Sequence, residues 1–291
     1  MRSEELNTAP SVTRHRLGGY REYAPPAALA DCAEALWTHE TPWPPAMAGA
    51  THRVLPDPFV SLAFMGFRRG DGEPIDWSPV IIGPKLRAQI FALVPGREVA
   101  AIKIKPEWTG PLIGIDPIAI EDRVADLASV APRLADRVGD ALSRTRSAAD
   151  AVQVLTATLQ RLRAACRTPP SVITSTALDL VRETAGKASC ERVAATLGLS
   201  ERHVRRHVHH ATGIAPKGYS RAVRLVSAMV SADRFESPAW AAIALDAGYC
   251  DQSHLIRDCV KLAGVSPREL HLERRGEVAG DPAVSVLSNR R

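Results

Sequence analysis

The sequence predicts an α+β chain of two domains. The N-terminal half reads as β-rich with flanking helices, and the C-terminal half as all-α, with two helix-turn-helix units joined by a linker helix. Three observations carry this. First, a degenerate repeat between Ser189 and Leu270 sets Leu197-Gly198-Leu199-Ser200-Glu201 against Ala247-Gly248-Tyr249-Cys250-Asp251, and Gly213-Ile214-Ala215-Pro216 against Gly264-Val265-Ser266-Pro267. Second, short apolar runs between His52 and Ile104 are punctuated by proline and glycine. Third, Arg167-Thr168-Pro169-Pro170-Ser171 has the composition of a linker. The expected boundaries are a sensor or oligomerisation domain over 1–166, a linker over 167–171, a DNA-binding domain over 172–275, and a flexible tail over 276–291.

A length of 291 residues and a hydrophobic fraction of 45% suit two ordinary globular domains. The net charge is +5, and its placement is uneven. From Ser171 onward there are 17 Lys and Arg against 13 Asp and Glu, which leaves a single excess charge for the first 170 residues. A basic bias confined to the half carrying the repeat fits a nucleic-acid partner. The five cysteines (Cys32, Cys166, Cys190, Cys250 and Cys259) form no CxxC pair, and their odd number argues for reduced thiols in a cytoplasmic protein. Met1 to Tyr20 contains no apolar signal segment. No run approaches the ~18 apolar residues of a membrane span, so no membrane partner is expected.

In the N-terminal half, Leu29, Cys32, Ala33, Leu36 and Trp37 follow helical spacing and predict a helix over 27–38. Val54-Leu55, Val60 to Phe64, Val80 to Ile82, Gln89 to Leu93 and Val99 to Ile104 predict strands of a small sheet or barrel. Beyond Pro111 the apolar spacing predicts helices over 118–127, 131–142 and 148–165, the last with a Leu155–Leu159–Leu162 stripe. Four side chains are candidates for a ligand pocket. Asp57, between two prolines, either lines such a pocket or caps a turn through its own backbone. Arg53 either pairs with an anion or is a solvated strand arginine. Trp43 and Trp108 either wall an aromatic site or pack as core or lid. His15, His39 and His52 form no tight His-x-His grouping, so neither a metal nor any other cofactor is expected.

In the C-terminal half, Ser189 is a candidate N-cap, and Val193, Ala194 and Leu197 give a short helix one apolar face. Gly198 supplies the corner. A second helix starts at Ser200 or Glu201, with Val204 and Val208 inward, and ends at Thr212-Gly213. Arg202, Arg205, Arg206 and His209 are left on its outer face. Arginine forks suit phosphate and guanine O6/N7, although a solvated basic face has the same composition. His203, His207 and His210 share one helical face, but no acid or cysteine joins them at ligand spacing. The helix from Pro216 or Lys217 to Ala232, about 17 residues, would span roughly 25 Å. That is of the order needed to place two reading helices in successive major grooves, ~34 Å apart. Trp240, Ile243, Ala244 and Ala247 mark the first helix of the second unit, and its reading helix runs from Asp251 or Gln252 to Ala263.

Residues 172–270 resemble the AraC-type bacterial transcriptional regulators. The resemblance rests on Ala247-Gly248-Tyr249-Cys250-Asp251-Gln252-Ser253-His254-Leu255 followed by Gly264-Val265-Ser266-Pro267, and on Thr212-Gly213-Ile214-Ala215-Pro216 with Tyr219. Leu255 and Cys259 stand where that family usually has phenylalanine. The N-terminal half resembles a small sensor-like domain found ahead of such DNA-binding domains, through Tyr23-Ala24-Pro25-Pro26, Arg53-Val54-Leu55-Pro56-Asp57 and Ile104-Lys105-Pro106. That resemblance implies a cupin-like fold. The AraC resemblance implies that Arg202, Arg205 and Arg206 face the groove in the first unit, and Gln252, Ser253, Ile256 and Arg257 in the second.

The expectation is therefore a regulator that reads double-stranded promoter DNA under control of a small-molecule effector. Homodimer formation stays open, and RNA polymerase is a partner if the protein activates. The alternative is a small-molecule enzyme of cupin-like fold fused to a DNA-targeting domain, but no G-x-S-x-G, H-E-x-x-H or P-loop supports it. A non-specific nucleoid binder would need a larger charge excess.

Overall fold

The computed structural model describes residues 19–41, 51–68, 75–275 and 285–287. Strands β1 (Arg21–Tyr23), β2 (Ala33–Glu40), β3 (Thr51–Val54), β4 (Val60–Phe67), β5 (Asp76–Ile82), β6 (Gln89–Ala92) and β7 (Arg97–Ile104) come first. They are followed by α1 (Pro106–Ile113), β8 (Val124–Asp126), α2 (Leu127–Val130), α3 (Pro132–Leu142) and α4 (Ala148–Ala165). One antiparallel sheet runs β1-β2-β7-β4-β5-β8. A second sheet pairs β3 with β6 and, in parallel, with β9 (Ser285–Leu287). Part of the tail expected to be flexible is thus a strand; the rest of it lies outside the described residues.

Period-two alternation gives the large sheet two different faces. Val60, Leu62 and Phe64 on β4, and Ala100, Ile102 and Ile104 on β7, pack against Leu155 and Leu159 of α4. Ser61 and Met65 on β4, and Arg97, Val99 and Lys103 on β7, line a cavity on the opposite face. His52 and Val54 of β3 and Phe91 of β6 line the same cavity, which places it between the two sheets, as a cupin-like sandwich requires.

Two helices expected in this half are corrected. Residues 27–38 form a single 3-10 turn (Ala27–Leu29) followed by β2. Strand β2 is flanked by β1 and β7 and buried on both faces, so its apolar residues carry no clean period of two and mimic helical spacing. Residues 118–127 form a 3-10 turn (Pro117–Ile120), then β8 paired with β5, then the start of α2. Asp122, at φ 55°, breaks the helix, and Asp126 caps α2 through Ala128 N at 2.8 Å. Helices over 132–142 and 148–165 are present as expected.

The C-terminal half is entirely helical: α5 (Val172–Glu183), α6 (Cys190–Leu197), α7 (Glu201–Thr212), α8 (Pro216–Ala232), α9 (Trp240–Asp246), α10 (Gln252–Ala263) and α11 (Pro267–Arg275). It has two cores, and α8 belongs to both. Its N-terminal half sets Tyr219 among Leu178, Val181, Val193, Val204 and Val208. Its C-terminal half sets Leu225 and Met229 among Ile243, Leu255, Cys259 and Leu262. Truncating a fully buried leucine such as Leu225 to alanine would cost about 2–5 kcal/mol.

The N-terminal domain touches both cores. Leu86 packs on the first, Leu55 and Ala88 pack on the second, and Ala88 N donates to Leu262 O at 2.7 Å.

Candidate nucleic-acid interface and the N-terminal cavity

In the first unit, Ser189 Oγ accepts from Arg192 N at 3.1 Å and starts α6. Gly198 turns the chain at φ 65°, in the left-handed region that a Cβ disfavours. Ser200 Oγ then accepts from His203 N at 3.3 Å and starts α7. Val204 and Val208 are buried; Arg202, Arg205, Arg206 and His209 are exposed. Arg205 pairs with Glu201 one turn earlier. An exposed helical pair of this kind is worth only ~0.3–0.5 kcal/mol, so a phosphate can displace it.

Helix α7 carries four histidines, His203, His207, His209 and His210. His203 and His207 stack at 4.8 Å, and His207 Nδ1 lies 3.4 Å from Thr174 Oγ1 on α5. Burial, then His203, Arg206 and His210, push the His207 pKa down. Arg206, His207 and His210 also line a cleft shared with Glu107 and Asp116 of the N-terminal domain.

The second unit repeats the plan with one more residue between its glycine and its cap, Asp251 where the first unit has Ser200. Gly248 turns at φ 78°, and Asp251 Oδ1 accepts from His254 N at 2.6 Å to start α10. Leu255 and Cys259 are fully buried. Gln252, Ser253 and Arg257 are exposed, and Ile256 is half-buried. Neither Arg205 nor Arg257 is drawn into the interior.

Sequence reasoning missed the bonds that fix α10 to α8. Arg221 holds the buried Asp258 at 2.6 Å, Arg224 reaches the same carboxylate at 3.6 Å, and Arg224 also lies 4.6 Å from the centre of the Tyr249 ring. The i,i+3 spacing of the two arginines was visible, but their partner on a different helix was not.

The four candidate ligand residues of the N-terminal half separate. Asp57 lines the cavity between the sheets and also caps its own turn, accepting from Phe59 N at 3.0 Å. It pairs with Lys103 Nζ at 3.2 Å, which also holds Glu22 at 3.3 Å. Burial opposes the Lys103 charge, but Asp57 and Glu22 outweigh it and push the pKa up.

Arg53 is neither solvated nor in the cavity, and the anion it pairs with is a side chain of this chain. Its guanidinium is buried, bidentate to Glu273 of α11 at 2.8 and 3.0 Å, and donates to Ala263 O at 2.8 Å. Trp108 is a core residue under Arg163, 4.5 Å from its ring centre, and does not line the cavity. Trp43 lies outside the described residues. Residues not singled out from sequence complete the walls, among them Trp37, His39, Lys85, Phe91 and Arg97. The alternation Arg97-x-Val99-x-Ala101-x-Lys103 was the available signal for a cavity face.

The comparisons agree with this geometry. Residues 193–272 match the family model of a helix-turn-helix domain, and residues 21–126 match a domain of unknown function (DUF6597). No curated protein matches the chain. Among solved structures, the C-terminal domain of AraT, a response regulator from Geobacillus stearothermophilus, is 24% identical, with 38% of this chain and 93% of that one covered and a TM-score of 0.34. An apo form of ToxT from Vibrio cholerae is 11% identical, with coverage of 81% and 96% and a TM-score of 0.41. Wild-type ToxT bound to an unsaturated fatty acid is likewise 11% identical, with coverage of 89% and 97% and a TM-score of 0.40. Scores this low add nothing to what the residues and the domain match establish. Residues 193–272 are a helix-turn-helix domain, in which two capped helices follow left-handed glycine corners and share the connecting helix α8. No helix among the described residues is long and apolar enough to cross a membrane.

Proposed function

We propose that α7 and α10 read adjacent major-groove segments of promoter DNA, and that a small molecule in the N-terminal cavity sets how they are presented. Arg202, Arg205, Arg206 and His209 supply phosphate and guanine contacts, and Gln252, Ser253, Ile256 and Arg257 supply base selection. The observation that carries the reading is the duplicated corner: two glycines at φ 65° and 78°, each leading into an N-capped helix whose inner face is buried and whose outer face is polar.

Support for effector control comes from connectivity. Val54, Leu55 and Lys85 line the cavity, while Leu55 and Ala88 pack into the second helix-turn-helix core and Leu86 into the first. A ligand that reshapes these segments would bias the two units between DNA-competent arrangements. In this reading the cavity binds and does not turn over its ligand, and the protein works in the cytoplasm, in keeping with five free cysteines. Any homodimer would add a second pair of reading helices, and any contact with RNA polymerase would follow from activation.

The test is to recover bound genomic duplexes and compare affinity for the recovered site with affinity for random DNA at one salt concentration. A regulator prefers its site by roughly 10³-fold or more. Equal affinities would return the non-specific nucleoid binder.

A further inference from the structure

The cavity between the two sheets holds about 130 Å³. A cavity of roughly 150 Å³ accommodates benzene, so the space suits one compact ring or a short branched chain. A long extended chain does not fit. Much of the wall is apolar or aromatic: Val54, Leu55, Phe59, Met65, Phe91 and Val99.

The polar groups in that wall are one-sided. Trp37 Nε1, Lys85 Nζ and Arg97 Nε are buried and have no hydrogen-bond partner among the described residues, and each is a donor only. His39 Nε2 and His52 Nδ1 are also buried without a partner among them. Burial and then Arg97 push His39 down to about 4, and burial, then His39 and Arg97, push His52 down to about 4, so both are neutral at pH 7. His39 stacks on His52 at 5.6 Å, His52 on Phe91 at 5.7 Å, and Lys85 Nζ lies 5.9 Å from the Phe91 ring centre, so these groups form one continuous wall.

The acids lining the cavity or neighbouring it are mostly engaged. Asp57 and Glu22 share Lys103, and Glu98 holds Arg68 at 2.7 Å. Burial pushes the Lys85 pKa down, and Asp122 and Asp57 only partly oppose it; burial pushes Arg97 down with no acid opposing it. No buried carboxylate or amide oxygen of the described residues is left without a donor. Unpaired buried donors are costly, and two of these three carry positive charge.

We propose that the cavity takes a small monoanionic carboxylic acid with a compact apolar body of about one aromatic ring, its carboxylate received by Lys85, Arg97 and the neighbouring Trp37 and histidine nitrogens. A polyol or sugar would bring several hydroxyl donors, for which the unpartnered nitrogens of the two neutral histidines are at most two acceptors. The inference names the ligand class for the effector site proposed above and rests on that reading.

The experiment uses the full chain and titration calorimetry with 4-methylbenzoate, its neutral isostere 4-methylbenzamide, and palmitate. DNA affinity is measured in the presence of each. The expected result is that 4-methylbenzoate binds at least tenfold tighter than the amide. Lys85→Met and Arg97→Gln should then cost the acid about tenfold while leaving the amide unchanged. Circular dichroism and thermal melts establish that the variants fold; if one does not, the acid-to-amide ratio on the unmodified chain decides. Equal binding of acid and amide, binding of palmitate alone, or no binding of 4-methylbenzoate overturns the assignment. If the amide or palmitate binds and shifts DNA affinity, effector control survives while the anion assignment falls. If the acid binds as expected and DNA affinity does not move, the ligand class stands and effector control falls.

Discussion

The first helix-turn-helix unit offers three arginines and a histidine on the outer face of α7; the second offers Gln252, Ser253, a half-buried Ile256 and one arginine on α10. Their attachments to the N-terminal domain are reversed in the same sense. In the first unit the helical domain contributes the cation: Arg182 reaches Glu107 of α1 at 2.6 Å and Tyr219 Oη at 3.4 Å. In the second it contributes the anion, Glu273, and the β-domain supplies Arg53. In the proposed reading one backbone plan serves two tasks: a face rich in arginine would supply salt-sensitive attraction to the phosphate backbone, and a face of mixed chemistry would suit base selection. The two domain clamps, one on each unit, hold both faces relative to the N-terminal domain.

The largest expected effect comes from breaking the clamps, and it should differ between them. Arg182→Ala leaves Glu107, whose side chain is 1% exposed, as an unpaired buried charge. That class of change costs about 3–5 kcal/mol. Arg53→Ala leaves the 9% exposed Glu273 unpaired and removes the donor to Ala263 O. The expected loss is smaller, on the order of 2–3 kcal/mol. Calorimetric melts of both variants measure this; unchanged melting of either one would mean that its clamp is not formed in solution.

Next in size are the reading arginines. Arg205→Ala and Arg257→Ala should each weaken binding to the cognate site by about 1–3 kcal/mol. Mobility-shift titrations at several salt concentrations separate the roles. Loss of Arg205 should lower the salt slope by about 1 if it meets a phosphate, and loss of Arg257 should narrow the gap between cognate and altered sites. A pair of variants with identical slopes and identical site preference would erase the proposed division of labour.

The two glycine corners should differ because their surroundings differ. A Cβ at Gly198 meets nothing within 4 Å, so Gly198→Ala has only the left-handed backbone to overcome, about 1–2 kcal/mol. At Gly248 the added atom would meet Lys187 Cγ at 2.8 Å, with Cδ at 3.2 and Cβ at 3.5 Å, near the root of that side chain, so Gly248→Ala adds a steric cost to the same backbone cost. Denaturant titration of each variant checks this, and a neutral Gly198→Ala would remove the corner from the argument.

How much of this was legible in the sequence depended on whether a local signal existed. The helical half was, because caps and corners are local: Ser189, Ser200 and Gly198 announce themselves within a turn of the helices they bound. In the sheet, β4 and β7 were found as strands, but β2 was read as a helix because a strand buried on both faces loses its period of two. Arg53 looked like a surface strand residue because its partner, Glu273, lies 220 positions away. The cavity was hidden for the same reason. Trp37, His39, Lys85 and Arg97 come from separate strands and a connecting loop, and only sheet order brings them to one wall.

The smallest expected effect is a pH dependence that should belong to the first unit. His203, His207, His209 and His210 all lie on α7, whereas α10 carries only His254, packed edge-on against Tyr249 at 5.1 Å. A histidine beside a phosphate gains from protonation, so the complex takes up protons and affinity rises as pH falls from 8 to 6. His207 should contribute little, because burial and its neighbours push its pKa down. The gain should be below about 1 kcal/mol, in the range of an exposed ion pair. His209→Gln should remove part of it, while His254→Gln should leave the pH slope unchanged. A flat titration of the unmodified protein, or a slope that disappears only with His254→Gln, would contradict the assignment of this response to α7.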